Sequence, residues 1–256
     1  MKCVILAGGK GTRLAEETSS RPKPMVWIGD RPILWHIMKI YSAHGVNDFI
    51  VCLGHMGYFI KEYFSNYYLH NADVTFDMAA NTVEYHTHRN EPWKVTLVDT
   101  GLETMTGGRL RRVRSYLDED EPFCMTYGDG VANVDVSALV DFHRTLGRKA
   151  TVTCVRPPAR FGRIAIDGQR ATDFEEKPQT EGGHINGGFF VLQPSALDYC
   201  VSDETVWELE PMHGLAAEGQ LSAWVHDGFW QPMDTLRDRN TLEDLWASGR
   251  APWKVW

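Results

Sequence analysis

One stretch near the N-terminus decides the fold: Val4-Ile5-Leu6-Ala7-Gly8-Gly9-Lys10-Gly11-Thr12-Arg13-Leu14, followed by Pro22-Lys23-Pro24-Met25. A short apolar run that ends in glycines is typical of a buried strand leading into a loop. Glycines allow the backbone to approach a polyphosphate and to direct N–H groups toward it, and Arg13 and Lys23 add positive charge. The stretch therefore predicts a nucleoside triphosphate site at the end of the first strand.

The glycine loop differs from the two commoner phosphate-binding motifs. A P-loop has Lys and then Ser or Thr directly after its last glycine, whereas Thr12 and Arg13 follow Gly11 here. A dinucleotide fingerprint needs a third glycine, and Leu14 stands at that position. Asp30 has a suitable spacing for a ribose-binding carboxylate, but its neighbours are typical of a turn. The sequence therefore argues against a Rossmann oxidoreductase.

The overall composition restricts the class of protein. With 256 residues, 43% hydrophobic and 23% charged, the chain suits one large soluble α/β domain. A net charge of −8 argues against nucleic acid or an acidic membrane as partner. No stretch is long enough to span a bilayer, and the apolar run after Lys2 is too short for a signal peptide. Five scattered cysteines, mostly in apolar runs, are typical of reduced core residues, so we expect a cytoplasmic protein.

Strand and helix patterns alternate along the first half of the chain. Buried strands are predicted at residues 3–7, 49–53, 95–99, 123–127 and 150–155, and helices at 32–43, 58–64, 107–117 and 136–146. Such alternation predicts an α/β fold with a doubly wound, mostly parallel central sheet and helices on both faces. Ligands are expected at the carboxyl ends of its strands.

The pattern changes after Pro157-Pro158. Short strands are predicted at 163–166, 171–174, 185–192 and 221–225, and helices at 205–217 and 236–246. They indicate a small antiparallel addition in the C-terminal part. Because no linker or repeat separates the parts, we predict a single domain over residues 1–256. The segment 66–93 is the least regular and suits a lid or a subunit contact equally well.

Two aspartates have both a chemical and a structural interpretation. Asp129 follows a predicted strand and lies between two glycines that leave room for a substrate. It suits a Mg²⁺ ligand and, equally, the Asp-Gly of an ordinary turn. Asp234 directly precedes the last predicted helix, and the pattern alone favours a helix N-cap over a metal ligand there.

The glycine loop and Pro22-Lys23-Pro24-Met25 together resemble the signature of the sugar nucleotidyltransferase family, whose members join a sugar 1-phosphate to a nucleotide. The resemblance implies Mg²⁺ as cofactor, with Asp129 and Asp234 as its ligands. It also implies catalytic roles for Arg13, Lys23 and Asp129, and makes Lys10 a nucleotide contact, although a solvated loop tip is as suitable. The implied nucleotide contacts are Leu6, Ala7, Gly8, Gly9, Lys10, Gly11, Thr12, Arg13, Lys23, Thr104, Arg109 and Gly128.

The C-terminal part carries a second group of motifs of that family. Phe174-Glu175-Glu176-Lys177-Pro178 and Asn186-Gly187-Gly188 resemble the part that holds the sugar phosphate. The resemblance implies that Lys177 binds the phosphate and that Asn186 lies near the sugar, while Glu176 suits a sugar hydroxyl or an exposed turn. We expect residues 1–155 mainly to bind the nucleotide. Residues 156–256 are expected mainly to supply the sugar-phosphate site, the second metal ligand and oligomer contacts.

Further motifs concern the choice of nucleotide and sugar. They are Glu91-Pro92-Trp93, Thr104-Met105-Thr106-Gly107-Gly108-Arg109, Tyr127-Gly128-Asp129-Gly130-Val131 and the closing run from Gly228 to Trp256. Together they resemble the cytidylyltransferases of this family that use glucose 1-phosphate. The resemblance implies transfer of a cytidylyl group from CTP to α-D-glucose 1-phosphate. It also implies a homo-oligomer, with the CDP-glucose product feeding deoxysugar synthesis for bacterial lipopolysaccharide O-antigens.

Two alternatives stay open beside this interpretation. A uridylyl- or thymidylyltransferase would keep the glycine loop, Lys23 and both aspartates. A non-catalytic regulatory paralogue that binds nucleotide sugars would be expected to lose a metal carboxylate or the phosphate lysine. Asp129, Asp234, Lys23 and Lys177 are all present, which argues against the regulatory protein.

Overall fold

A computed structural model describes residues 1–86, 90–157, 163–167, 170–175 and 183–256. For residues 13, 15, 16, 163–167 and 170–175 it describes the backbone only. Within these ranges the strands are β1 (Lys2–Leu6), β2 (Trp27–Ile28), β3 (Arg31–Pro32), β4 (Asp48–Leu53), β5 (Val74–Asp77), β6 (Thr82–Tyr85), β7 (Lys94–Asp99), β8 (Phe123–Tyr127), β9 (Gly130–Ala132), β10 (Ala150–Val155), β11 (Arg163–Asp167), β12 (Arg170–Glu175), β13 (Ile185–Leu192), β14 (Leu221–His226) and β15 (Trp230–Pro232). The α-helices are α1 (Ala15–Thr18), α2 (Ile33–Ala43), α3 (Gly57–Ser65), α4 (Tyr67–Asn71), α5 (Thr106–Arg112), α6 (Val136–Leu146), α7 (Glu210–Ala217) and α8 (Leu236–Ala247). Short 3-10 helices span Thr12–Leu14, Lys23–Met25, Arg114–Tyr116 and Pro194–Tyr199.

The largest sheet among the described residues has the strand order β14-β10-β13-β8-β1-β4-β7. Strand β1 pairs in parallel with β4 and β8, β4 pairs in parallel with β7, and β10 pairs in parallel with β14. Strand β13 runs antiparallel to both β8 and β10. The predicted mostly parallel α/β sheet is therefore confirmed, and strands from both halves of the sequence share it.

Strand β1 is covered on both faces. Its side chains alternate, so that Cys3 and Ile5 belong to one apolar core and Val4 and Leu6 to the other. Helices α2, α6 and α8 complete the first core, and α5, α7 and the Pro194–Tyr199 turn complete the second. This is why β1 is apolar from Cys3 to Leu6, and it confirms helices on both faces. Across the described ranges, no helix has the length and apolarity needed to cross a bilayer.

Small antiparallel pairs lie beside the main sheet. Strand β11 pairs with β12, and β15 pairs with β9, which confirms the antiparallel addition in the C-terminal part. A hairpin of β5 and β6 occupies part of the segment 66–93 and was not predicted. Its side chains are mostly exposed on both faces, so no alternation of apolar and polar residues marks it. The helix predicted over 107–117 is divided into α5 and the Arg114–Tyr116 turn.

The helix predicted over 205–217 begins only at Glu210. The residues before Glu210 are not helical, because their backbone makes hydrogen bonds to another helix. The carbonyl oxygens of Asp203 and Thr205 accept hydrogen bonds from N–H groups at the start of α5. A distant helix terminus therefore overrides the local helical pattern of this segment.

The closing run of the chain packs on α2 through an aromatic cluster. The rings of Trp246, Trp253 and Trp256 lie 4.6, 6.1 and 6.3 Å from the ring of His36, measured between centroids. His36 Nδ1 accepts from Trp253 Nε1 at 3.3 Å, so its Nε2–H donates to the Ile28 carbonyl at 2.9 Å. Burial lowers the pKa of His36 to about 4. The imidazole is therefore neutral at pH 7, with its tautomer fixed by the cluster.

Candidate active site

The glycine loop leaves β1 at the carboxyl edge of the sheet and borders a cleft of about 320 Å³. Neighbouring strands hold its start, because Ala7 N–H donates to Cys52 O at 3.0 Å and Gly128 N–H donates to Leu6 O at 2.9 Å. Gly11 has a φ of +63°, which favours glycine. The cleft is lined by Leu6, Ala7, Gly8, Gly9, Gly11, Thr12, Lys23, Pro24, Thr104, Met105, Thr106, Arg109, Tyr127, Gly128 and Asp129.

This cleft brings together most of the residues predicted to bind the nucleotide. Lys10 does not line it: the side chain is exposed, and its Nζ lies 2.9 Å from Glu103 Oε1. Arg13 lies in the Thr12–Leu14 turn, but its side chain is outside the described part of the structure. The nucleotide contacts of Lys10 and Arg13 therefore stay predictions.

Lys23 connects the two predicted metal ligands. Its Nζ donates to Asp129 Oδ2 and to Asp234 Oδ1, each at 2.7 Å. Only 9% of the Lys23 side chain is exposed, compared with 33% for Asp129 and 18% for Asp234. Burial acts to lower the pKa of Lys23, but the two carboxylates outweigh it and raise the pKa. The ammonium group therefore stays charged at the side of the cleft.

Strand pairing brings the two aspartates together. Asp129 lies in the turn between β8 and β9, and Met233, which follows β15, donates its N–H to Asp129 O at 2.8 Å. The N-cap of α8 is Thr235, whose Oγ1 accepts from Asp238 N–H at 3.2 Å while the Asp238 carboxylate accepts from Thr235 N–H at 2.9 Å. The N-cap interpretation of Asp234 is therefore wrong, and its carboxylate contacts the lysine ammonium instead.

The two carboxylates suit a divalent metal ion. Both reach the same ammonium nitrogen, so their oxygens converge on one position of positive charge. Mg²⁺ commonly takes one or two protein carboxylates and completes its coordination with water and phosphate oxygens. In the part of the chain that the structure describes, no group of three or more His, Cys, Asp or Glu side chains is placed to hold a metal. A metal bound to Asp129 and Asp234 would leave coordination positions for water or phosphate oxygens.

Arg109 ties the glycine loop to the neighbouring strand ends. Its Nη1 donates to Leu53 O at 3.0 Å, to Thr100 Oγ1 at 2.8 Å and to Gly101 O at 2.8 Å. Its Nη2 donates to Gly8 O at 3.1 Å, and a Cβ atom at Gly8 would overlap the guanidinium. Burial lowers the pKa of Arg109, but the ordinary pKa of arginine is so high that the guanidinium stays charged at pH 7. Its nucleotide contact stays a prediction, and its observed contacts are with the protein.

A second cavity of about 290 Å³ adjoins the cleft and shares Tyr127 and Asp129 with it. Asn186, predicted to lie near the sugar, is part of its wall. Glu176 and Lys177 lie outside the described residues, and their roles stay predictions. The cavity is lined by Thr126, Tyr127, Asp129, Gly130, Asn186, Gly187, Gly188, Phe189, Glu208, Trp230, Pro232 and Asp234.

Glu208 had no part in the sequence prediction, and Thr106 and Tyr127 appeared there only within longer motifs. The Glu208 carboxylate accepts hydrogen bonds from the Tyr127 hydroxyl and, at 2.6 Å, from Thr106 Oγ1. Burial and the neighbouring Glu208 raise the pKa of Tyr127, so its hydroxyl keeps its proton. Thr106 lies two positions after Thr104, which was predicted to contact the nucleotide, so its place in the sequence could have indicated a role in the site. Glu208 has no such signal, because it falls within the run predicted as a helix.

Comparison with known proteins adds to this geometry. Residues 2–223 match the model of the family described as nucleotidyl transferase. The glucose-1-phosphate cytidylyltransferase of Salmonella typhi is 60% identical over 256 residues, and a probable glucose-1-phosphate cytidylyltransferase of Bacillus subtilis is 44% identical over 257 residues; each alignment covers 100% of both chains. Among solved structures, HddC from Yersinia pseudotuberculosis has a TM-score of 0.69 at 23% identity, over 96% of this chain and 99% of that chain. This last similarity concerns the fold alone.

Proposed function

The chain belongs to the nucleotidyl transferase family, and from that premise we propose that it transfers a cytidylyl group from CTP to α-D-glucose 1-phosphate, giving CDP-glucose and pyrophosphate. The full-length similarity to the Salmonella typhi and Bacillus subtilis proteins supports this choice of substrates. The single structural observation that carries the proposal is the junction of two cavities at Tyr127 and Asp129. Two substrates can therefore meet beside a buried lysine and two carboxylates.

The reaction depends on how the two substrates are positioned. An oxygen of the sugar phosphate attacks the α-phosphorus of the nucleotide and forms a new P–O bond. The bond from that phosphorus to the bridging oxygen breaks, and pyrophosphate leaves with the electron pair. Bringing two anions into line costs entropy and electrostatic energy, which a preorganised cationic site reduces.

Lys23 supplies fixed positive charge at the junction of the cavities. Its ammonium group is almost buried and is held by two carboxylates, so it needs little rearrangement when charge develops on the phosphates. Asp129 and Asp234 would hold Mg²⁺, which when bound neutralises phosphate charge and favours in-line displacement. On the nucleotide side, the loop from Gly8 to Gly11 presents mainly backbone to the cleft.

The second cavity is the proposed sugar-phosphate site. Asn186 would contact the sugar, Lys177 would bind its phosphate, and Glu176 would accept from sugar hydroxyls. The position of Asn186 supports this assignment, because it borders the second cavity and lies on the Asp234 side of the junction. The glycine loop does not line the second cavity, and Tyr127 and Asp129 lie between the two. The sugar phosphate can therefore occupy the second cavity while the nucleotide occupies the cleft.

Pyrophosphate release tests the proposal directly. The purified chain is incubated with Mg²⁺ and glucose 1-phosphate, and separately with CTP, UTP, dTTP, ATP or GTP. We expect release to be fastest with CTP, and the nucleotide sugar to be CDP-glucose by mass. Preference for UTP or dTTP would move the chain to another nucleotide specificity within the same chemistry. Absence of release with every nucleotide, alongside binding of nucleotide sugars, would support the regulatory alternative instead.

We also propose that the chain acts as a single-domain cytoplasmic homo-oligomer that feeds deoxysugar synthesis for O-antigens. Exposed apolar side chains on the β5–β6 hairpin support an oligomer, since Phe76, Met78 and Val83 are 54%, 88% and 50% exposed. Light scattering on the eluted protein would give its mass. A mass of one chain at micromolar concentration would exclude a stable oligomer.

A further inference from the structure

The first turn of α5 is packed against residues 203–208, which we name the bridging segment. Met105 N–H donates to Asp203 O at 2.8 Å, and Gly107 N–H donates to Thr205 O at 2.9 Å. A Cβ atom at Gly108 would overlap the backbone of Asp203. The glycines of Thr106-Gly107-Gly108 are therefore needed for contact with the bridging segment. A motif on the nucleotide side is thus shaped by a segment that reaches the second cavity.

The last residue of the bridging segment bonds to side chains from both cavities. Glu208 accepts from the Tyr127 hydroxyl through Oε1 and from Thr106 Oγ1 through Oε2 at 2.6 Å. Thr106 lines the nucleotide cleft, Glu208 lines the second cavity, and Tyr127 lines both. Thr106 Oγ1 in turn accepts from Trp207 N–H at 2.9 Å. One carboxylate therefore fixes a hydroxyl on each side of the junction.

The same hydrogen bonds determine how Asn186 is oriented. A tyrosine hydroxyl has one proton, and that of Tyr127 is donated in the hydrogen bond to Glu208. The hydroxyl oxygen then accepts from Asn186 Nδ2 at 3.1 Å, and Asn186 Oδ1 accepts from Gly188 N–H at 2.8 Å. Reversing the Asn186 amide would place two acceptors together at one end and two donors at the other. Glu208 thus selects the orientation of the Asn186 amide, which is proposed to contact the sugar.

The apolar core supports this arrangement through the two aromatic rings beside it. The rings of Tyr127 and Trp207 both pack edge-on against Phe190, with centroid distances of 6.2 and 6.0 Å. A Cβ atom at Gly188 would lie only 2.6 Å from Tyr127 Cδ2. Phe190 and Gly188 therefore restrict the Tyr127 ring, while the residue lines both cavities, so a change at one cavity can pass along the hydrogen-bond chain to the other.

We propose that Glu208 is a positioning residue that couples nucleotide binding to sugar-phosphate binding, through hydrogen bonds from Thr106 and Tyr127 and onward to Asn186. A nucleotide seated against Thr106 restrains the hydroxyl that orients Glu208 and Tyr127. The sugar phosphate then meets an Asn186 that is already ordered, and binds more tightly because less ordering is left to do. Glu208 contacts no reacting atom in this role. The inference rests on the proposed function for the identity of the two ligands.

The coupling is measured as a ratio of binding constants. Calorimetric titration gives the Kd of glucose 1-phosphate with and without a CTP analogue that carries a methylene group between its α- and β-phosphates, both with Mg²⁺. We expect the analogue to tighten sugar-phosphate binding at least about fivefold in the wild type. In Glu208→Gln the factor falls below about twofold, because an amide nitrogen faces a hydroxyl donor. The Kd of the analogue, measured without glucose 1-phosphate, changes much less between the wild type and Glu208→Gln.

A matched pair at Thr106 separates the hydroxyl from general packing. Thr106→Ser keeps the hydrogen bond to Glu208 and retains the coupling factor, whereas Thr106→Val removes the hydroxyl with little change in volume and loses the factor. Glu210→Gln is the control for the carboxylate, since Glu210 is exposed two residues further along. Tyr127→Phe removes the hydroxyl that joins Glu208 to Asn186. Its control is Tyr199→Phe, because the Tyr199 hydroxyl donates to Glu218 away from both cavities.

Each outcome decides the inference. A wild-type factor near one, or an unchanged factor in Glu208→Gln and Thr106→Val, would overturn it. Should Glu208→Gln fail to fold, as judged by its melting curve, the Thr106 pair and Tyr127→Phe still decide. Failure of the proposed function is seen separately, as no pyrophosphate release from CTP by the wild type. Normal release with intact coupling in the variants would overturn the inference alone.

Discussion

The nucleotide cleft and the second cavity are built by different means, although they share a wall. The cleft lies at the carboxyl ends of parallel strands, and glycines contribute four of its lining residues. The second cavity is bordered by side chains from β13, the bridging segment and β15, including Asn186, Glu208 and Trp230. Glycines also contribute three lining residues of the second cavity, but only the cleft is bordered by the glycine loop, which keeps its shape when single side chains change. We therefore expect nucleotide binding to be robust and sugar binding to be sensitive to substitution.

Replacing the shared carboxylates has the largest expected effect. Asp129→Ala and Asp234→Ala should each lower kcat by about three powers of ten, because each removes a preorganised charge at the reacting phosphates. Asp129 lines both cavities and Asp234 only the second. Steady-state kinetics should therefore show higher KM values for both substrates in Asp129→Ala, and for the sugar phosphate alone in Asp234→Ala.

The Mg²⁺ dependence of the same variants provides the control. Both substitutions should raise the Mg²⁺ concentration needed for half-maximal rate, whereas Asp227→Ala, at an exposed carboxylate before β15, should behave as wild type. Full Mg²⁺-dependent activity in Asp234→Ala would remove that residue from the metal site. An equal rise in the KM for CTP would contradict the division between the cavities.

Lys23 offers the next largest effect, because it is the cation common to both carboxylates. Lys23→Met should lower kcat by about two powers of ten through loss of the fixed charge. It should also tighten Mg²⁺ binding to the nucleotide-free protein, since Asp129 and Asp234 lose the ammonium that shares their oxygens. Calorimetry on Lys23→Met and on Lys61→Met, an exposed lysine of α3, measures this. Weaker Mg²⁺ binding in Lys23→Met would count against a metal site at these carboxylates.

Features that depend on local pattern could be predicted from sequence. The glycine loop follows a buried strand, and strand alternation places Asp129 at the carboxyl edge of the sheet. The position of Asp234 depends on the pairing of β9 with β15, which no local signal gives. Glu208 was missed for a related reason: its segment has a helical apolar pattern, but contacts with α5 hold it in another path. Around Arg109, the oxygens of residues 100–102 come from the preceding turn, whereas those of Gly8 and Leu53 are brought near by the fold.

Acid stability depends on two buried histidines, one in α2 and one in α6. His36 lies in α2 against the tryptophan cluster, and His143 joins α6 to β10, with its Nδ1 2.9 Å from Thr151 Oγ1. Burial lowers both pKa values to about 4 from 6.5. The unfolded chain therefore binds more protons between pH 6.5 and 4, and stability falls as the pH drops through that window. From pH 7 to pH 5 each histidine should remove about 2 kcal/mol of unfolding free energy.

Urea unfolding at pH 7 and pH 5 measures this loss. His36→Gln and His143→Gln should each reduce the pH dependence by the share of one histidine, while His213→Gln, at an exposed position, should not. Because strands of both halves share one sheet, we expect a single transition in every variant. Two transitions, with only one shifted by each substitution, would mean that the regions around α2 and α6 unfold independently.

A pair of glycines gives the smallest effect and the sharpest comparison. Gly188 and Gly147 both have positive φ, +81° and +61°, so alanine at either should cost about 1 kcal/mol of stability. A Cβ atom at Gly147 meets nothing within 4 Å, whereas one at Gly188 lies 2.6 Å from Tyr127 Cδ2. Gly188→Ala should therefore shift the Tyr127 ring and raise the KM for glucose 1-phosphate about tenfold, with the KM for CTP nearly unchanged. Gly147→Ala should alter neither. An equal rise in both KM values for Gly188→Ala would show that Tyr127 shapes the nucleotide cleft as strongly as the second cavity, and the cleft would then be no more robust than its neighbour.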